Sequence, residues 1–93
     1  MKTIDIRHNP GEQRFETTIN GQLAVLLYQR SGNRIAFTHT QVPPDLRGQG
    51  IGGALAKSAL DYAGENQLLV LPFCSFVADY IERNPKYLSL LAS

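Results

Sequence analysis

Residues 46–53 read "LRGQGIGG", which puts Gly48, Gly50, Gly52 and Gly53 within six positions and Arg47 directly before them. A run of this kind suits an anion. Glycine adopts unusual φ/ψ values and lets a phosphate approach the backbone, and the run leads into a helical pattern whose first N–H groups lack intrahelical partners. The alternative is a tight turn with a close helix-to-sheet contact. Two of these glycines fall inside the helix start, where each costs about 1 kcal/mol relative to Ala, and that penalty weighs toward the anion. Two further residue types carry chemistry: a histidine, His39, the side chain that ordinarily titrates near neutrality, and the single cysteine, Cys74.

Two common phosphate motifs fit poorly. Gly48, Gly50 and Gly53 satisfy G-x-G-x-x-G, but a dinucleotide site also needs a preceding βαβ strand and an acidic residue after the second strand. Here "LLVLP" is followed by Phe73 and Cys74. A nucleoside-triphosphate loop would need Gly-Lys-Ser/Thr, which is absent.

The elements that must position these residues follow from periodicity. "KTIDIRH" alternates through Ile4 and Ile6 and ends at "NPG", and "RFETTI" alternates through Phe15, Thr17 and Ile19. Asn20-Gly21 is the dipeptide that best tolerates positive φ at both centres of a hairpin, so "QLAVLLYQR" should return antiparallel. "SGN" then turns into "RIAFTHTQV", completing an expected four-strand meander that Pro43-Pro44 terminates.

From Gly50 a helix is expected, with Ile51, Leu55, Ala56, Ala59, Leu60, Tyr62 and Ala63 on its apolar half. "LLVLP" reads as a buried strand with a parallel partner. A second helix follows, capped by Ser75, with Phe76, Val77, Tyr80 and Ile81 on one face, and Asn84-Pro85 ends it. The tail "KYLSLLAS" should form a short turn packing Tyr87, Leu88 and Leu91.

Bulk properties narrow the function classes. The 93 residues suffice for one domain, and 43% hydrophobic against 18% charged residues is the balance of a folded globular chain. A net charge of +1 with no long basic run argues against nucleic acid as a partner. One cysteine permits no internal disulfide and argues against a zinc site or other metal cofactor, which fits a reducing cytoplasm. The opening "MKTIDIRHNPGE" has no apolar signal core, and no segment approaches the roughly 20 apolar residues of a membrane span, so no membrane partner is expected.

Arg47, Gly50 and Gly52 also spell Arg-x-x-Gly-x-Gly. This resembles the pyrophosphate loop of the GNAT superfamily of acetyl-CoA-dependent N-acetyltransferases, Gln/Arg-x-x-Gly-x-Gly/Ala at a helix N-terminus after an antiparallel meander. The succession "HTQVPPDLRGQGIGGAL", amphipathic helix, then "LPFCSFVADYIERNPKY" is similar to the small stand-alone subgroup, over residues 34–87. The implied fold is α/β (α+β), a four-strand antiparallel meander followed by a helix, a splayed parallel strand and a helix, in one domain spanning 1–93.

The resemblance implies a cleft with "HTQV" as one wall and "LPFCS" as the other, holding the pantetheine arm of acetyl-CoA. Cofactor contacts would come from Val42, Arg47, Gly48, Gln49, Gly50, Ile51, Gly52, Gly53, Cys74 and Ser75, with Arg47 adding a charge-assisted bond. A strand N–H near Val42 would stabilise the developing oxyanion. Three side chains are catalytic candidates. His39 is either a base, through water, or a hydrogen-bonding residue of the strand end. Tyr80 could protonate the thiolate, or pack in the core. Cys74 is either a nucleophile or a side chain lining the thioester pocket, its thiolate favoured by the start of the following helix.

The helices that shape the acceptor pocket in larger family members are missing between "TIDIRH" and "QRFETTI", as is the final strand pair. The acceptor, a small-molecule or protein amine, would meet an open side; a monomer is the default and a dimer could wall it. The leading function is acetyl-CoA-dependent N-acetyl transfer. The alternatives are a CoA or acyl-CoA binding module with little or no transferase activity, and an interaction domain whose glycine loop binds nothing.

Overall fold

A computed structural model of the chain describes residues 4–92. One five-stranded sheet runs in chain order: β1 (Arg7–Asn9), β2 (Arg14–Ile19), β3 (Gln22–Ser31), β4 (Arg34–Gln41) and β5 (Leu69–Pro72). The first four strands are antiparallel, and β5 lies parallel to β4. Two helices complete the fold, α1 (Ile51–Glu65) between β4 and β5, and α2 (Ser75–Arg83) after β5. This is the expected meander, helix, parallel strand and helix.

The β2–β3 hairpin turns at Asn20 and Gly21, with φ of 52° and 75°, the left-handed pair that the dipeptide favours. On the inner face of the sheet Phe15, Ala24, Leu26, Tyr28, Ile35 and Phe37 are buried. They pack against the apolar face of α1, where Leu55, Ala59, Leu60 and Ala63 are fully buried. Each fully buried Leu or Ile contributes roughly 1.5–3 kcal/mol. Helix α2 adds Val77 and Ile81 to the same core.

Three local expectations are corrected. The first strand begins only at Arg7, because the buried Thr17 hydroxyl donates to the Asp5 carbonyl at 2.8 Å in place of a ladder bond; Lys2 and Thr3 of the expected strand lie outside the described residues. Ser75 is not the cap of α2. Cys74 occupies the N-cap and no side-chain cap bond forms. In the tail, Tyr87 is buried as expected but Leu88 is 49% exposed. Beyond the short helical turn Pro85–Leu90, Leu91 bridges Val70 in parallel and the Ala92 N–H donates to Val70 O at 3.0 Å. A single bridge thus stands where a final strand pair was expected to be missing altogether. Among the described residues no helix is long and apolar enough to cross a membrane.

Candidate functional site

The site starts from one extra residue in β4. Tyr28 faces Phe37 and Leu27 faces His39, so Thr38 has no partner and bulges, its hydroxyl 3.4 Å from Leu27 O as donor. A bulge bends its strand and shifts which side chains face the core. Before it Ile35 and Phe37 point inward; after it Thr40, opposite the inward Leu26, takes that face. His39, opposite Leu27, is turned to the other face and is exposed.

Pairing between β4 and β5 ends at the same level. Phe37 is aligned with Pro72, and the Cys74 N–H donates to Phe37 O at 2.8 Å. Beyond this point β4 continues without β5, so the backbone of residues 38–41 is open on one edge. The two strands splay, as expected.

Below the opening lies the glycine loop. Gly48 and Gly50 have φ of +82° and +77°, and no atom would meet a Cβ there, so conformation alone calls for glycine at both. Gly50 is the N-cap of α1 and supplies no side-chain bond. The first intrahelical donor is the Ala54 N–H, 3.0 Å from Gly50 O, which leaves the Ile51, Gly52 and Gly53 N–H groups free to face a ligand. Arg47 is exposed, donates from Nε to Val42 O at 3.4 Å, and pairs with no carboxylate among the described residues. Free donors, a helix N-terminus and one guanidinium form a cradle whose chemistry suits an anion.

The missing side chain of Gly52 serves a further purpose. A Cβ on Gly52 would come within 2.7 Å of the Phe76 ring, and one on Gly53 within 3.6 Å of the Tyr80 ring. Gly52 thus lets α2 approach the first turn of α1, whereas a Cβ at Gly53 would make only ordinary contact.

Splay and loop share one groove of about 630 Å³, lined by residues 39–42, 46–48 and 50–53 and by Phe76. It gathers His39, Val42, Arg47, Gly48, Gly50, Ile51, Gly52 and Gly53 from the expected set. Four expected residues are not in its lining. Gln49 is exposed between the two left-handed glycines and has only its backbone to offer. Cys74 is 8% exposed, with its thiol 3.2 Å from Thr40 Oγ1. Ser75 is exposed at the first turn of α2, outside the groove. Tyr80 packs on Gly53 and against Tyr87, ring centroids 6.1 Å apart.

Opposite "HTQV" the groove is lined by Phe76, and no residue of "LPFCS" joins that lining. Leu71 and Pro72 are engaged with β4, and Phe73 is 72% exposed. Periodicity assigned Phe76 to the apolar face of its helix, and only the position of α1 reveals that the ring borders a groove. Among the described residues no three His, Cys, Asp or Glu gather.

The model of the GCN5-related N-acetyl-transferase family matches residues 14–90. Protein NATD1 of Gallus gallus is 39% identical over 85 residues, covering 88% of this chain and 77% of that protein. NATD1 of Homo sapiens is also 39% identical over 85 residues, covering 88% and 75%. The NMR solution structure of a GCN5-like protein from Staphylococcus aureus superposes with a TM-score of 0.75 at 30% identity, over 100% of this chain and 92% of that one. With its bulged, splayed strand and its glycine cradle, the chain belongs to the GCN5-related N-acetyltransferase family.

Proposed function

We propose that this protein transfers the acetyl group of acetyl-CoA to an amine. The observation that carries the reading is the continuity of the groove, in which an anion cradle at the head of α1 opens directly onto the unpaired edge of β4. A pyrophosphate fits the free N–H groups and Arg47, and an amide-containing arm fits an exposed strand edge whose N–H and C=O groups need partners.

The chemistry is an aminolysis. A neutral amine attacks the thioester carbonyl, a C–N bond forms, the C–S bond breaks, and the amine loses a proton while the thiolate gains one. The bulge turns His39 to the face away from α1, and an amine arriving from that face meets the imidazole at the groove edge. His39 is the base in this scheme, and the backbone N–H near Val42 steadies the oxyanion. Acceptors are exposed amines of small molecules or proteins.

A second reading is a CoA-binding module with little or no turnover. It is favoured by the placement of the catalytic candidates, since of His39, Cys74 and Tyr80 only His39 lines the groove. The deciding experiment incubates the protein with acetyl-CoA and a panel of amines, including lysine-containing and N-terminally free peptides, and follows free thiol and acetylated product by mass spectrometry. Product that disappears in His39→Ala while coenzyme binding persists supports the transferase. Binding without product in any arm supports the module.

A further inference from the structure

Phe76 is 42% exposed, whereas Val77 and Ile81 on the same helix are exposed by 0% and 1%. Its ring leans across to α1. A Cβ on Gly52 would lie 2.7 Å from Cζ and 3.2 and 3.3 Å from Cε1 and Cε2, so the tip of the ring rests on the backbone of the first turn of α1. That turn also carries the free N–H groups of the anion cradle. One helical turn along α2, Tyr80 lies farther off, 3.6 Å from where a Cβ on Gly53 would stand, and Tyr80 is not in the groove lining whereas Phe76 is.

A half-exposed phenyl ring beside a polar cradle is an apolar surface whose covering is favourable. What it meets is the part of a ligand that directly follows the anion. In CoA this part is the branched alkyl start of the pantetheine arm, while in ADP there is nothing. Gly52 matters because a methyl there would displace the ring, at little cost to the fold since the displaced atoms are the far end of a side chain.

We propose that Phe76 is the residue by which the groove selects a pyrophosphate carrying an apolar arm over one without, and that Gly52 is required to seat its ring. This rests on reading the groove as a CoA site and goes further in naming the determinant.

Calorimetric titrations of the wild type, Phe76→Ala, Phe76→Leu, Gly52→Ala and the Gly52→Ala/Phe76→Ala double variant, each with CoA and with ADP, test it. Phe76→Ala should weaken CoA about tenfold and leave ADP within about twofold, with Phe76→Leu intermediate. Gly52→Ala should weaken CoA by more than it weakens ADP, and the double variant should bind CoA no worse than Phe76→Ala, because the methyl acts through the ring. Unchanged CoA affinity in Phe76→Ala, or equal loss of CoA and ADP, would overturn the role of Phe76 while leaving the CoA site standing. Additive losses in the double variant would overturn the role of Gly52. A wild type that binds no CoA would remove the underlying reading and this inference with it.

Discussion

Thr40 Oγ1 and Cys74 Sγ lie 3.2 Å apart, a hydrogen bond that spans the point where β4 and β5 separate. It holds the lone thiol, 8% exposed, against the strand and out of the groove lining. The direct aminolysis proposed above gives Cys74 no nucleophilic role. Cys74→Ala should therefore keep acetyl transfer within about threefold of wild type, measured as initial rates. A loss above about a hundredfold, with acetyl-cysteine trapped on the wild type, would contradict this. Thr40→Val should cost about 1 kcal/mol in urea unfolding, the worth of one partly buried hydrogen bond.

Gly50 carries a second prediction, because its φ of +77° is left-handed and nothing crowds its Cα. Gly50→Ala should destabilise by about 1–2 kcal/mol through backbone conformation alone. Gly50→Asn should cost less, since Asn tolerates that region. Equal urea midpoints for the two variants would show that the loop relaxes to another conformation.

At the far end of the sheet His8 joins β1 to the core. Its ring stacks on Phe15 at 4.4 Å with a 7° interplanar angle, meets the Tyr62 ring edge-on at 4.4 Å, and Nε2 lies 2.6 Å from the Tyr28 hydroxyl. Burial, then the nearby Arg30 guanidinium, which itself donates to Tyr62, holds the imidazole below its ordinary 6.5. The unfolded chain thus takes up the proton first. Stability is full above pH 6.5 and is lost as pH falls from there toward the lower folded value. Unfolding free energies measured from pH 8 to pH 5 should fall with pH in the wild type and flatten in His8→Phe. Parallel slopes would refute the assignment.

How much of this was legible in the sequence depends on whether a feature is local. Asn20-Gly21 and Pro43-Pro44 mark chain reversal and strand end by their own backbone chemistry, and both fall where expected. The apolar stripe of α1 is equally local. The bulge at Thr38 is not, because no Gly or Pro announces it and it exists only in the register against β3. Neither is the cluster around His8, whose members come from β1, β2, β3 and α1. The glycine run was legible as a loop at the start of a helix, but its division of labour was not. Gly48 and Gly50 answer to φ, whereas Gly52 answers to the Phe76 ring, more than twenty residues later in the chain.

Tyr87 ties the terminal turn to α1 by donating to Asp61 Oδ1 at 2.7 Å, while Lys57 holds Oδ2 at 2.9 Å. Burial pushes the Asp61 carboxyl up, but the bonds from Lys57 and Tyr87 outweigh it and leave the group below its ordinary 3.8. Its stabilisation is full above that value and lost as pH falls through the folded one. Tyr87→Phe should cost about 1–2 kcal/mol near neutrality and less in acid, read from urea unfolding at both pH values. An identical cost at both would mean that only packing is lost.

The most direct test of the central claim is a titration of the 15N-labelled protein with CoA, following backbone amide resonances by NMR. Binding at the cradle should shift the amides of residues 48–53 and of residues 39–42 most strongly, and Arg47→Ala should weaken the apparent affinity about tenfold without moving the pattern. Shifts that bypass the glycine loop, or none at millimolar CoA, would contradict the assignment of this groove as the coenzyme site.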